Sequence, residues 1–301
     1  MRLALTLGDP RGIGPEIVAK ALADDRIAAL GTIWRVVGPS GLKVPVDDSI
    51  GTWAPTADPI ADAAQAGRLA GLAVERAARL ALAGEVAGIV TAPLDKAALH
   101  AGGFDYPGHT EMLAAIAGVP ATMMLASDRL RVVLVTTHLA LRDVVPAVTV
   151  DAIVRAALAT REGLRDGFGI SAPRIALCAL NPHAGDGGRF GDEDDRVLAP
   201  AARAAGIAGP FPADTVFVRA LRGEFDAVVA PYHDVGMTAI KVASFGSAVN
   251  VTLGLPFVRT SPDHGTAPDI VGQGIASAES LIKAMVLAVT LCRRRAAHHS
   301  R

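Results

Sequence analysis

The feature that most restricts this chain is an alternation: short, continuously apolar runs recur between segments whose apolar residues fall at spacings of three and four. Val86–Thr91 (VAGIVT), Arg131–Thr136 (RVVLVT), Arg174–Leu180 (RIALCAL), Asp226–Ala230 (DAVVA) and Val249–Leu253 (VNVTL) are the strand-like runs, and Met1–Leu7 leads into Gly8-Asp9-Pro10 as a first strand. Ala61–Ala83 places Leu69, Leu72, Ala73, Ala77 and Leu80 at helical spacing and is closed by Gly84, a residue suited to a C-cap. Asp151–Leu164 and Glu279–Arg294 carry the same spacing, and Pro93–Ala101 is expected to be a loop entering a helix. Strands that are apolar throughout are covered on both faces, so the pattern predicts an α/β protein with a central, mostly parallel sheet. Residues 41–59, with three prolines, carry neither period.

Composition narrows the function classes. With 301 residues, 51% hydrophobic and 20% charged, the chain can bury a substantial core, which excludes disorder. A formal net charge of −1 gives no field for nucleic acid or an anionic membrane, so an acidic ligand must be met by local charges. The N-terminal apolar stretch is too short for a signal-peptide core, and no run approaches the roughly 20 apolar residues of a membrane helix. Cys178 and Cys292 are too few for a disulfide framework or a Cys-rich zinc site, which fits a reducing compartment and makes the cytoplasm the default.

Three histidines share one context, since His138, His183 and His233 each follow a strand-like run. Ligands of open α/β sheets bind at the carboxyl ends of strands, so the sharp reading is a three-nitrogen site for Zn²⁺ or another divalent ion with an open position. The plain reading is that each imidazole bonds its own loop. Around His183, Asn181–Gly188 (NPHAGDGG) is rich in glycine and turn formers, which lets backbone amides approach a ligand. Pro107–Glu111 (PGHTE) puts His109 and Thr110 at an expected helix start, where an anion such as phosphate is favoured; the alternative is that Thr110 is only the N-cap. Lys241 and Arg259 stand in apolar stretches and call for anionic partners, either a carboxylate such as Asp234 or Asp263 or an acidic substrate, and Lys96 is a weaker signal of that kind. Gly8–Glu16 (GDPRGIGPE) is neither a dinucleotide fingerprint nor a P-loop and reads as a tight strand-to-helix turn.

Together GDPRGIGPEI, TAPLDK, GHTEML, TTHLALRD, NPHAGDGG, YHDVGMTAIK and NVTLGLPFVRTSPDHGTA resemble the PdxA-type 4-hydroxythreonine-4-phosphate dehydrogenase family across nearly the whole chain. His264–Gly272 also resembles the adenosine-binding segment of isopropylmalate and isocitrate dehydrogenases. The resemblance implies a two-lobed α/β/α isopropylmalate-dehydrogenase-like fold: residues 1–105 with 250–301 as the cofactor-side lobe, residues 106–249 as the metal, substrate and dimerisation lobe, and substrate and cofactor in the cleft between them. It implies His138, His183 and His233 as metal ligands, and His109, Thr110, Lys241, Asn250 and Arg259 as substrate contacts. Lys241 and Asp214 become candidates for moving the proton, and His264, Gly265, Thr266 and Ala267 lie along NAD or NADP. One divalent ion (Zn, Mg, Mn or Co) per site and a homodimer whose active sites draw ligands from both chains are implied as well.

The implied reaction is metal-assisted oxidation at C3 of 4-hydroxy-L-threonine 4-phosphate, then decarboxylation to 3-amino-2-oxopropyl phosphate, in pyridoxal phosphate biosynthesis. Val235 and Met237 replace the family's usual Gln and Leu, and Ala140 its usual Pro, so 4-phospho-threonate, 4-phospho-erythronate or a cyclic cis-diol dicarboxylate stay open as substrates. A metallohydrolase has no use for the HGTAPDIVG segment. A non-catalytic metal or nucleotide module has none for His109, Lys241 and Arg259.

Overall fold

The apolar runs become strands of a computed structural model that describes residues 1–244 and 247–299. In chain order the strands are β1 (Arg2–Thr6), β2 (Ile33–Ser40), β3 (Asp48–Thr52), β4 (Gly88–Thr91), β5 (Thr122–Ala126), β6 (Arg131–Leu134), β7 (Ile175–Cys178), β8 (Ala208–Phe211), β9 (Ala227–Ala230), β10 (Val249–Leu253) and β11 (Val258–Pro262). The chain forms two units, residues 1–121 with 249–296 and residues 122–248 with the tail from Ala297.

In the first unit the strand order is β3-β2-β1-β4-β11-β10, parallel except for the β10–β11 pair. The helix Pro59–Leu82 covers this sheet. Asp58 starts it by accepting the Ile60 amide at 2.9 Å, Pro59 occupies the first turn, where it sacrifices no intrahelical bond, and Gly84 takes the left-handed φ of +73° beyond its end. Its buried face, including Ala73, Val74, Ala77 and Leu80, packs with Ile89 of β4 and with Met112 and Leu113. Fully burying each large apolar side chain there contributes about 1.5–3 kcal/mol. Met112 and Leu113 belong to the helix His109–Ala117, so residues 106–121, expected in the second lobe, fold with the first unit, as does Val249, while residues 297–299, expected in the first lobe, group with the second unit. Ser300 and Arg301, expected at the end of the first lobe, lie outside the described residues.

In the second unit the order is β5-β6-β9-β7-β8, with β5–β6 an antiparallel pair and the other pairs parallel. Strands β7 and β9 are buried along their whole length, as helices on both faces require. Leu134, Cys178, Val216, Val228 and Ile240 belong to one core, against which the half-buried Val235 and Met237 pack. Cys178, and Cys292 of the first unit, are buried free thiols whose pKa burial pushes up to about 12, so neither is a ready thiolate.

Candidate active site

Arg259 is the second residue of β11, opposite Thr252 of β10 and beside Ile89 of β4, and only 2% of it is exposed. Its guanidinium donates to Thr252 Oγ1 at 3.0 Å and to Thr91 Oγ1 at 2.7 Å, while Nε is buried with no hydrogen-bond partner. Burial pulls its pKa down to about 9, opposed by the negative charge of Glu111, and the group stays cationic at neutral pH. A cation whose bonds go to neutral hydroxyls keeps most of its charge for a ligand.

His109 opens the helix His109–Ala117, and its Nε2 is also buried without a partner. Burial, then Arg259 and Lys96, hold its pKa well below the ordinary imidazole value, so the ring is neutral at pH 7. Gly108 is the N-cap and no side chain caps the helix, which corrects the reading of Thr110 as an N-cap. Thr110 is the second helical residue, free to direct its hydroxyl elsewhere than its own helix start. Asn250 of β10 adds a third buried polar atom without a partner, Oδ1. A buried cation, unpaired polar atoms and an uncapped helix start thus lie in one unit, the kinds of group that can receive an anion.

In the second unit, His138 follows β6, His183 follows β7 and His233 follows β9, and these three strands are adjacent and parallel. The fold brings two of the imidazoles together: His138 and His233 have ring centroids 5.7 Å apart. His183 lies instead beside Phe190, with centroids 6.0 Å apart. Among the described residues no three His, Cys, Asp or Glu side chains gather as a metal-binding group. The donor pair still suits a divalent ion, because a metal bound at about 2.1 Å lies about 3 Å from each ring centre, allowing a ring separation up to about 6 Å. His233 Nδ1 lies 2.7 Å from Asp234 Oδ1, a carboxylate contact that orients the ring and leaves Nε2 for a ligand.

The turn that carries His183 is strained. His183, Ala184 and Asp186 all have left-handed backbones, with φ of +53°, +54° and +45°. Such non-glycine conformations cost about 1–3 kcal/mol each and persist where the surroundings enforce them. The chain entering this turn is pinned by the buried Asp194 carboxylate, which accepts the amides of Leu180 and Asn181 at 2.9 Å each, while Asn181 Nδ2 donates to Glu193 at 2.8 Å. Neither acid shows in the local sequence pattern, because they act from 12 to 14 residues away.

Gly8–Glu16 packs closely on its neighbours. Gly8 has φ +70°, and a Cβ there would lie 2.1 Å from the Pro93 carbonyl oxygen, so only glycine fits. A Cβ on Gly12 would lie 2.8 Å from Thr266 Cβ, and the Ile13 amide donates to the Thr266 carbonyl at 3.0 Å. The turn therefore supports the His264–Ala267 segment, exposed at 264–265 and half-buried at 266–267, in which Ala267 is left-handed at φ +44° and starts the short turn Pro268–Ile270.

The remaining sites divide. Lys241 is exposed on the helix His233–Ser244, which corrects the reading that placed its charge in a buried run. Asp214, with Ala213, Phe217, Tyr232, Asp234, Val235, Thr238 and Ala239, lines a cleft of about 440 Å³. Asp234 serves His233 rather than a cation. Thr91 and Thr252, which fix the Arg259 fork, are absent from the sequence-level site; Thr91 ends an apolar strand run, and that position was its one available signal.

Comparison with known proteins gives consistent likenesses. A 4-hydroxythreonine-4-phosphate dehydrogenase of Beijerinckia indica is 45% identical over 96% of this chain and 94% of its own length. A D-threonate 4-phosphate dehydrogenase of Salmonella typhimurium is 43% identical over 96% and 98%. The crystal structure of a 4-hydroxythreonine-4-phosphate dehydrogenase from Klebsiella pneumoniae superposes with a TM-score of 0.78 at 40% identity, covering 97% of this chain and 98% of that one. An isocitrate dehydrogenase from Methylococcus capsulatus, 16% identical with a TM-score of 0.53, shares the fold. The model of the family described as pyridoxal phosphate biosynthetic protein PdxA matches residues 40–288, and with these relatives it shows that the chain belongs to the PdxA family.

Proposed function

We propose that this dehydrogenase oxidises 4-hydroxy-L-threonine 4-phosphate at C3 and releases CO₂ to form 3-amino-2-oxopropyl phosphate, using NAD or NADP and one divalent ion (Zn, Mg, Mn or Co). The observation that carries the reading is Arg259: a buried guanidinium held by two threonine hydroxyls, in the same unit as the unpartnered Nε2 of His109 and Oδ1 of Asn250. Arg259, His109, Thr110 and Asn250 take the anionic substrate groups, the guanidinium supplying charge and the imidazole a neutral hydrogen-bonding nitrogen. His138, His183 and His233 are the metal ligands. The strained turn at His183 and the Asp234 carboxylate that accepts from His233 Nδ1 support that role.

When bound, the nicotinamide supplies the hydride acceptor and the metal ion a Lewis acid at the reacting hydroxyl. The C3–H electron pair leaves as hydride and the O–H proton passes to a base. Asp214 is favoured as that base over Lys241, because it shares its cleft with Asp234, the neighbour and partner of His233. The resulting 3-oxo acid loses CO₂, the freed pair forming an enolate that takes back a proton. His264–Ala267, braced by Gly12 and Ile13, receive the cofactor. The protein works as a homodimer in which His183 of one protomer completes the pair formed by His138 and His233 of the other, a division suggested by which rings one chain brings together. No described helix is long and apolar enough to cross a membrane, and the site is built for a small anion rather than a nucleic acid.

Absorbance at 340 nm tests the reading, with NAD⁺, a divalent ion and 4-hydroxy-L-threonine 4-phosphate beside D-threonate 4-phosphate. The second substrate is a specific rival, since the Salmonella relative is 43% identical and Val235 replaces a usual glutamine beside the Asp214 cleft. Faster turnover of D-threonate 4-phosphate assigns the chain to that branch. Turnover of neither overturns the substrate class.

A further inference from the structure

The helix Gly14–Leu22 does more than close the turn after β1. Glu16 and Lys20 face each other one turn apart, Lys20 Nζ to Glu16 Oε1 at 2.8 Å. An isolated surface pair of this kind is worth only a few tenths of a kcal/mol. This one is not isolated. Lys20 Nζ also donates to the carbonyl of Gly274 at 2.8 Å and of Ala276 at 2.7 Å, and Glu16 Oε1 accepts the Ala276 amide at 3.0 Å. All three ammonium protons are used, two of them on backbone carbonyls two residues apart and more than 250 residues away in sequence.

The captured backbone ends the loop that begins at His264. That loop is exposed at 264–265, 268–269 and 272–275, and its regular structure is the single turn Pro268–Ile270. Its internal bonds are local: His264 Nδ1 with Gly265 O, Ile270 N to Ala267 O, Gln273 N to Ile270 O, and Gln273 Nε2 to Asp269 O. A segment this exposed, with so few bonds of its own, takes its conformation from its anchors. There is one near each end, Ile13 on Thr266 and the Glu16–Lys20 pair on Gly274 and Ala276, and both come from the same turn and helix.

We propose that Glu16 and Lys20 are positioning residues for the nicotinamide cofactor: by clamping Gly274–Ala276 they hold His264–Ala267 in the shape that receives its adenosine end. The inference rests on the reading of His264–Ala267 as the cofactor segment. The Glu16 carboxyl is held below the usual carboxylate range first by Lys20 and then by the Ala276 amide, so the clamp is charged at neutral pH.

The test uses the full-length protein with Lys20→Met, Lys20→Arg and Glu16→Gln. Amide exchange across 264–277 is measured without cofactor, NAD⁺ affinity by calorimetric titration, and kcat at saturating NAD⁺. Lys20→Met is expected to speed exchange in 264–277 and to raise the NAD⁺ dissociation constant about tenfold, the worth of one charge-assisted hydrogen bond. The kcat at saturating NAD⁺ changes less than twofold, and Lys20→Arg, which keeps donors for both carbonyls, restores most of the affinity. Unchanged exchange in Lys20→Met overturns the clamp. Faster exchange with unchanged NAD⁺ affinity also overturns it, and His264→Ala then separates the causes: weakened NAD⁺ binding there leaves the cofactor segment standing, whereas unaltered binding removes that reading too. Equal losses of kcat, affinity and thermal stability in all three variants would mark the pair as general scaffolding and overturn the proposal.

Discussion

Arg259 and the three histidines, the groups proposed to meet the substrate and the metal, are treated by the fold in opposite ways. Arg259 lies within a sheet, its fork set by hydroxyls from two flanking strands, and its own Nε, His109 Nε2 and Asn250 Oδ1 in the same unit are buried without hydrogen-bond partners. His138 and His183 are exposed on loops, and among the described residues the rings of His138 and His233 come together while no three-residue metal group forms. A charge that must be desolvated to grip an anion is best built into the core, where it cannot relax onto another partner. Metal ligands need no burial, because the ion itself gathers them, so they can sit on loops and be contributed by more than one protomer.

The sharpest way to break this contrast is at the histidines, where the largest effect is expected. His138→Ala, His183→Ala and His233→Ala each reduce metal content and turnover to background while circular dichroism stays native. Mixing His183→Ala with His138→Ala after subunit exchange should restore up to about a quarter of wild-type activity, since half the dimers are mixed and each has one intact site. Mixing His138→Ala with His233→Ala should restore none. Recovery in the second mixture instead of the first would reverse the assignment of ligands to chains.

Arg259→Met comes next. Losing two hydrogen bonds from a charged group, each about 1.5–3 kcal/mol, lowers kcat/KM for a phosphorylated substrate by about 10²–10⁴-fold. Millimolar inorganic phosphate should raise the melting temperature of the wild type and not that of the variant. An equal shift in both would return Arg259 to a purely structural role.

Gly8→Ala tests the scaffold rather than either site. A methyl 2.1 Å from the Pro93 carbonyl, at a φ of +70°, should cost about 2–4 kcal/mol by denaturant melting, and a loss below 1 kcal/mol would show that the turn yields. The smallest effect is pH dependence. His109 has its pKa depressed in the folded state, so below about 6.5 the unfolded chain binds the proton more readily and stability falls as pH drops toward the folded value. That contribution is at most about 1.4 kcal/mol per pH unit, is fully retained above the unfolded pKa, and should disappear in His109→Gln. A variant whose pH profile follows the wild type would place the depressed titration elsewhere.

Much of this was legible along the chain. The expected strands at β1, β4, β6, β7, β9 and β10 lie within the runs read from sequence, and the long helix begins two residues before its expected start. The strands without a clear signal were β2, with Gly38-Pro39 inside it, β3, a half-exposed edge, and β5, β8 and β11. Strand β11 carries Arg259 in its interior and ends in proline, which hides it from any pattern of apolar residues. The histidines stood out because each follows a parallel strand, and Arg259 because a charge interrupts apolar sequence. Lys241 showed the same interruption and proved exposed, since one polar face of a helix also breaks an apolar run.

The sequence by itself determined the alternation of strands and helices, the family, and the kinds of side chain available for chemistry, because backbone periodicity and residue type are local properties. It also placed three imidazoles after strands. Only the tertiary structure decided that β6, β9 and β7 are neighbours, that two of the three rings come within 5.7 Å, and that the Arg259 charge rests on Thr91, 168 residues away. Strand order and the partners of a buried charge depend on which distant segments share a core, and no local pattern encodes that choice. The Lys20 clamp on Gly274 and Ala276 is of the same kind: two ordinary surface residues whose role exists only once helix and loop are packed together.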